Sequence, residues 1–398
     1  MDITIYPKKL NGTIHAISSK SQAHRLLICA AFSDKPTTLL CHTTNQDIEA
    51  TAECLRSIGA HILRHDNGYV VTPIKRIPRT AEMDCGESGS TLRFLLPIVC
   101  ALGIQASITM HGRLPYRPLS PLWEELERMG CSLSRPTANT IQTSGKLQQG
   151  NYTIAGNVSS QFISGLMFAM ALIEGESKLQ ITGKLESRPY IEMTQQALTL
   201  FGVDTANNVI CGSVPFHSPG ICHVEGDWSN GAFFLTAKAL GSHLVVNGLN
   251  HNATQGDRAI TDILSTDKQF PRICVADIPD LVPILAIYFA TTHGVTFTDI
   301  GRLRLKESDR VASVLNMLSN LGILATAESN SMTVYPGKLM GGVVNACGDH
   351  RIAMAAAIAA TVAEGPVTIL GADCVAKSYP TFWQDYKYLG GDYEQYIR

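Results

Sequence analysis

The sequence predicts an α/β fold of two similar domains, each assembled from three β-α-β-α-β-β repeats. Three periodic features predict it. A small polar cluster opens into an apolar, Ala/Leu-rich helix six times, at Ser19-Lys20-Ser21, Glu87-Ser88-Gly89, Ser159-Ser160-Gln161, Asp227-Trp228-Ser229, Asp277-Ile278-Pro279-Asp280 and Gly348-Asp349-His350. Counted from Ser19, Glu87, Ser159, Asp227, Asp280 and Asp349, the intervals are 68, 72, 68, 53 and 69 residues. In phase with these, amphipathic helices stop at Gly59, Gly130, Gly202, Gly322 and Gly390, where glycine provides the left-handed cap at no Cβ cost. Between the two helices of each repeat lies a β-rich run: Thr37–His42, Ala106–Gly112, Lys178–Gly183, His243–Gly248, Gly294–Gly301 and Pro366–Gly371.

Each element has a local reason. Ser or Asp ahead of an apolar run is an ordinary N-cap, worth about 1 kcal/mol. The acid of the fifth opening, Asp280, is read the same way, as the cap of an apolar helix over Leu281–Ala290. The amphipathic helix of the fourth repeat is read at Arg258–Leu264, without a glycine stop. After the second helix come two strands, as at Ala60–Leu63 and Gly68–Thr72, joined by the tight turn Asp66-Asn67-Gly68. One such unit cannot bury its own apolar faces, so three or more must pack together. Six repeats then divide three plus three over the 398 residues.

Composition narrows the function. Hydrophobic residues make up 45% and charged residues 17%, so large cores are available, and a net charge of −2 excludes nucleic-acid or membrane binding driven by bulk charge. The eleven cysteines stand singly, with no C-x-x-C pair, which points to a reducing compartment rather than to disulfides or a metal site. No charged leader with an apolar stretch follows Met1, and the Ala-rich helix at Ile352–Val362 is too short to span a bilayer. A cytoplasmic protein is expected. No G-x-x-x-x-G-K-[ST], G-x-G-x-x-G or H-E-x-x-H motif is present.

The cations sit at matching places in the repeats. Lys20 and Arg25 flank Ser21 in the first turns of the first helix. Arg93 follows the glycine-bearing opening Gly86–Thr91. Arg113 and Arg117 bracket Leu114-Pro115-Tyr116, Arg188 precedes Pro189-Tyr190, and Arg302, Arg304, Lys306 and Arg310 crowd one loop. His350 and Arg351 open the last apolar helix, and Lys377 precedes Ser378-Tyr379-Pro380. Helix N-termini and loop cations together suit a small ligand carrying phosphates or carboxylates. Exposed solubilising charge is the plainer reading, and it fits Arg302, Arg304 and Asp309 best. Asp280 and Glu307, set among these cations, are expected to be ionised and able to accept a proton, with Lys306 as an acid or electrostatic clamp.

In order along the chain, SKSQAHR (19–25), ESGSTLR (87–93), RLPYRP (113–118), SSQF (159–162), SRPY (187–190), EGD (225–227), QGD (255–257), IPD (278–280), RLKESDR (304–310), DHRIAM (349–354) and AKSYP (376–380) resemble the 5-enolpyruvylshikimate-3-phosphate (EPSP) synthase family. The resemblance spans the whole chain. It implies the enolpyruvyl transferase fold, with each domain an inside-out α/β barrel: residues 19–224 in one, residues 1–18 and 225–398 in the other, and the active site in the cleft between them. It implies transfer of the carboxyvinyl group of phosphoenolpyruvate to the 5-hydroxyl of shikimate 3-phosphate with release of phosphate, in aromatic amino acid biosynthesis, by a monomer without cofactor or metal. Carried over by position, shikimate 3-phosphate falls to Lys20, Ser21, Arg25, Ser159, Ser160, Gln161, Ser187, Asp280 and Lys306, with Tyr190 beside it. Phosphoenolpyruvate falls to Lys20, Gly89, Arg117, Gln161, Arg310, Arg351 and Lys377. Asp280 resembles the acceptor of the hydroxyl proton, Glu307, Lys306 and Lys20 complete the catalytic set, and His350 supports Glu307.

The chain departs from the family pattern at three places. Ile17-Ser18 replaces Pro-Gly, Glu87 stands where many members have Asn, and Arg302 stands where some have an Asn that touches shikimate. The UDP-N-acetylglucosamine enolpyruvyl transferases share the fold but carry a reactive Cys on a loop that here, at Arg113–Arg117, has none. A nucleic-acid 3′-phosphate cyclase would need a larger basic surface. A silent anion-binding paralogue would have no use for acids such as Asp280 and Glu307.

Overall fold

The computed structural model describes residues 1–212, 214–266 and 268–396. Its helices alternate in character. They are α1 (Lys20–Ala31), α2 (Gln46–Ser57), α3 (Gly89–Leu102), α4 (Leu122–Arg128), α5 (Ser160–Met170), α6 (Arg188–Leu200), α7 (Trp228–Ala239), α8 (Ile260–Leu264), α9 (Val282–Ala290), α10 (Arg310–Asn320), α11 (His350–Ala360) and α12 (Phe382–Tyr388). The odd-numbered helices are the apolar ones. Every residue of α9 and α11 is buried, and in α5 only Gln161 is not. A helix apolar on all sides belongs in a core. Each Leu, Ile or Phe so buried contributes roughly 1.5–3 kcal/mol. The even-numbered helices bury one face. In the five that end at a glycine, that glycine has positive φ: 109° at Gly59, 108° at Gly130, 84° at Gly202, 85° at Gly322 and 87° at Gly390.

The side chains of Ser19, Ser88, Ser159, Asp227 and Asp349 cap α1, α3, α5, α7 and α11 by accepting a backbone N–H of the first turn. Asp280 does not cap α9, contrary to the reading from sequence. The cap position is Leu281, which makes no side-chain cap bond. Pro283 in the first turn removes one of the donors a cap would satisfy, and the Asp280 carboxylate turns to cations instead. The helix expected at Arg258–Leu264 is also shorter. A 3₁₀ turn over Gly256–Ala259 precedes α8.

Most sheets follow one plan. In the second repeat Thr80–Asp84 runs parallel to Gln105–Thr109, which pairs antiparallel with Thr140–Gly145, itself paired with Cys131–Thr137. The fifth repeat does the same with Arg272–Cys274, Val295–Thr298, Ser331–Val334 and Ala325–Ala327. Two repeats exchange their leading strands. Asn11–His15, which precedes α1, pairs with His243–Asn247, whereas Ile221–His223, which precedes α7, pairs with Thr37–Leu40. In the last sheet the place of the hairpin's inner strand goes to Asp2–Tyr6, between Val367–Leu370 and Asp392–Tyr396. Among the described residues the fourth repeat has no hairpin. Its 53 residues, against 68 or more elsewhere, leave no length for one.

The chain divides into two compact units, Ser18–Glu225 and Met1–Ile17 with Gly226–Arg398. Each has its own apolar core. The first centres on α1, α3 and α5, with Phe94, Phe162 and Phe168 fully enclosed. The second centres on α7, α9 and α11, with Trp228 and Phe233.

Candidate active site

In the unit Ser18–Glu225, the first turns of α1, α3 and α5 are tied together by polar side chains. Lys20, in the first turn of α1, pairs with Asp47 of α2 at 2.8 Å, both mostly buried. Thr91 of α3 donates to the Asp47 carbonyl and bonds Thr51, which in turn holds His24 Nδ1 at 2.7 Å. Burial, with Lys20 and Arg25 adding to it, holds the His24 imidazole well below its ordinary pKa, so it is neutral. Gln161, at the start of α5, donates to Ser90 at 2.9 Å and accepts from Arg93 at 2.9 Å. Ser159 caps α5, and Ser160 is buried beside it.

Gly89 is where backbone and guanidinium groups come closest. A Cβ built there would lie 2.6 Å from Arg93 Nη1 and 2.7 Å from Arg117 Nη1. Two guanidinium groups therefore converge on the N-terminus of α3, an arrangement suited to an anion. Ser187 has φ of 56° although it is not glycine, and it is buried. Such strain persists only where the surroundings impose it.

Arg25 differs from the other cations. Its guanidinium donates to Thr194, the Ser21 carbonyl, Ser164 and the Tyr190 carbonyl, and it stacks over Phe94 at 5.0 Å. Four of its five N–H groups are thus engaged inside the protein, leaving one on Nη1. Burial lowers its pKa to about 10, which leaves it charged at neutral pH.

The second unit gathers a denser cluster. Arg310, the first residue of α10, is 1% exposed. It donates to Asp349 at 2.8 Å, to Asp280 at 2.5 Å and to Glu307 at 2.7 Å. Asp280 also accepts from Arg351 at 3.1 Å and from Lys306 at 3.4 Å. Ser308 donates to Asp349, which caps α11 as well. Burial works against the Asp280 carboxylate, yet Arg351, Lys306 and Arg310 together hold it well below the usual carboxylate range. Burial lowers the Lys306 ammonium to about 8, with Asp280 opposing. Lys377 ends the 3₁₀ turn Ala372–Lys377. Both it and Asp349 act on the Cys374 thiol, which burial pushes up to about 12.

The structure thus brings Asp280, Lys306, Glu307, Arg310 and Arg351 into one contact group. It brings Lys20, Gly89, Arg117, Ser159, Ser160 and Gln161 to the linked helix openings of the other unit. Arg93, Ser90, Asp47 and Asp349 join these groups without having been singled out as site residues. Arg93 and Asp349 were visible as charges beside a helix start, whereas nothing in the sequence near Asp47 marks it as the partner of Lys20. Among the described residues no group of three or more His, Cys, Asp or Glu side chains is placed to hold a metal ion, and no helix is long and apolar enough to cross a membrane.

A family model described as EPSP synthase (3-phosphoshikimate 1-carboxyvinyltransferase) matches residues 5–386. A 3-phosphoshikimate 1-carboxyvinyltransferase of Clostridium kluyveri is 36% identical, with 99% of this chain and 98% of that protein covered. One of Clostridium novyi is 37% identical, with 98% of each covered. An EPSP synthase structure from Acinetobacter baumannii superposes with a TM-score of 0.80 over 99% of this chain and 100% of that one, at 24% identity, which speaks to the fold. Fold and sequence agree along the whole length, and the chain belongs to the EPSP synthase family.

Proposed function

We infer that this chain is an enolpyruvyl transferase that moves the carboxyvinyl group of phosphoenolpyruvate to the 5-hydroxyl of shikimate 3-phosphate and releases phosphate. The observation that carries the reading is the Asp280 carboxylate, mostly buried and held by three cations. Ionisable groups so strongly perturbed by burial and by specific charge partners gather at functional sites.

The roles follow from charge. Both substrates are anions and repel one another. Lys20, Arg117, Arg310, Arg351 and Lys377 offset that repulsion for phosphoenolpyruvate, with Gly89 and Gln161 beside it. Lys20, Ser21, Arg25, Ser159, Ser160, Gln161, Ser187 and Lys306 serve shikimate 3-phosphate. Charge-assisted hydrogen bonds contribute roughly 1.5–3 kcal/mol each. Without substrate Asp280 is a weak base, because its lone pairs are taken by Arg310, Arg351 and Lys306. When phosphoenolpyruvate draws Arg310 and Arg351 to itself, Asp280 loses those partners and its basicity rises beside the 5-hydroxyl. The hydroxyl oxygen then bonds to C2 as its proton passes to Asp280, and C3 gains a proton from the Glu307–Lys306 pair. The tetrahedral adduct returns a C3 proton and expels phosphate as the vinyl double bond re-forms. His350, buried at the start of α11, is assigned to support Glu307.

The test is release of inorganic phosphate from the two substrates together. Release without shikimate 3-phosphate, or with UDP-N-acetylglucosamine in its place, would overturn the assignment. A single species of about 43 kDa in solution would support the monomer.

A further inference from the structure

One buried carboxyl beside the Asp280 cluster has no part in the chemistry above. Asp257 lies in the 3₁₀ turn Gly256–Ala259 and is 2% exposed. The turn is fastened to the start of α7. Gln255 accepts from the Trp228 N–H at 3.0 Å and donates to the Gly226 carbonyl at 2.9 Å. The Ser229 hydroxyl donates to Asp257 Oδ2. Oδ1 is buried and has no hydrogen-bond partner, which is costly for an ionised carboxylate.

The groups that act on Asp257 are Asp227, the cap of α7, Ser229 in α7, Asp280 ahead of α9, and Arg351 from α11. Arg258, its neighbour on the same turn, is exposed. Next to it the carboxylates Asp280, Glu307 and Asp349 hold the cations Lys306, Arg310 and Arg351, and Asp227 and Arg302 add one charge of each sign nearby. A charge on Asp257 would face the negative charges of Asp280 and Asp227, with Arg351 the cation that draws on it.

We propose that Asp257 is a positioning residue of the transfer reaction: as a neutral acid it leaves the cations around Asp280 to receive anionic substrates, and as a carboxylate it opposes them. The proposal rests on the functional reading above. Burial first, and the Asp280 charge second, push its pKa up to about 7, against the pull of Arg351 and Ser229. The sign is then fixed. Below pH 7 Asp257 is neutral and binding is favoured; as pH rises through about 7 the added charge weakens phosphoenolpyruvate binding, so KM rises. Lys306 loses its proton near 8, so the wild-type kcat/KM falls on the alkaline side with two ionisations.

The experiment is the pH profile of kcat/KM for phosphoenolpyruvate, by phosphate release, in the wild type, Asp257→Asn, Ser229→Ala and the double variant. Asn keeps an acceptor for Ser229 but cannot ionise. Asp257→Asn should flatten the limb to one ionisation, shrinking the ratio of kcat/KM between pH 6 and pH 8 by up to about tenfold, with the change in KM. Ser229→Ala removes the bond that favours the charged form, so its limb should move to higher pH. The double variant should match Asp257→Asn alone. Profiles of unchanged shape in Asp257→Asn and Ser229→Ala would overturn the proposal while the transferase reading stood. If Asp257→Asn does not fold, an unmoved limb in Ser229→Ala overturns it. A wild type that releases no phosphate at any pH would instead overturn the functional reading itself.

Discussion

Arg310 shows how one side chain organises a site. A lysine at this position would carry the same charge, but only the planar fork of arginine reaches Asp349, Asp280 and Glu307 together. Arg310→Lys should therefore lose stability, and Arg310→Ala should lose about 3–5 kcal/mol by leaving Asp349 buried without its partner. Urea unfolding measures both. Asp280→Ala should cut turnover by about 10²–10⁴ while phosphoenolpyruvate still binds, read by phosphate release alongside calorimetry. Near-normal turnover would remove Asp280 from its role. The same carboxylates set the acid limit of the fold. Burial resists their ionisation, but their cations prevail and depress both Asp280 and Asp349. Their folded pKa values lie below the unfolded value of about 3.9, so this stabilisation is present above that pH and is lost as pH falls through the folded values. Asp349→Asn should show a smaller drop in urea midpoint between pH 6 and pH 3 than the wild type.

Among the elements, the packing of α5 on α3 depends on Gly165. A Cβ there would stand 2.2 Å from the Arg93 carbonyl oxygen and 3.1 Å from the Pro97 ring. Gly165→Ala must push α5 off α3, at about 1–3 kcal/mol or more, and it displaces the Arg93–Gln161 contact with it. Thermal unfolding and the KM for phosphoenolpyruvate should shift together. The helices themselves were legible because burial on all sides writes unbroken apolar runs such as Leu281–Ala290, and because helix ends need Gly at positive φ. The short fourth interval was equally visible, though only the structure shows that the missing length is a hairpin. Asp280 misled because an acid ahead of an apolar run has the chemistry of a cap. Its turn toward Arg310 and Arg351 depends on residues 30 and 71 positions away, which no local pattern encodes. Arg25 is a similar case. Its charge was legible, but its engagement by Thr194, Ser164 and Tyr190 was not.

For the whole chain, the exchanged strands decide what can stand alone. The unit Ser18–Glu225 holds its core and every strand of its sheets, including Ile221–His223, which comes from its own far end. Expressed by itself, it should unfold in one cooperative transition. A fragment starting at Gly226 lacks Asn11–His15 and the inner strand Asp2–Tyr6, and so exposes edges of His243–Asn247, Val367–Leu370 and Asp392–Tyr396. It should aggregate or stay molten until residues 1–17 are supplied as a peptide. Near-UV circular dichroism with and without that peptide is the measurement.

The strand Asp2–Tyr6 sits between partners at Val367–Leu370 and Asp392–Tyr396. This strand is made long before either partner and is therefore among the last segments to find its place. At about 5–20 residues per second, roughly 20–80 seconds of translation separate Asp2–Tyr6 from Asp392–Tyr396. The residues between can fold while Asp2–Tyr6 waits, so this strand is where a chaperone would have the most time to act.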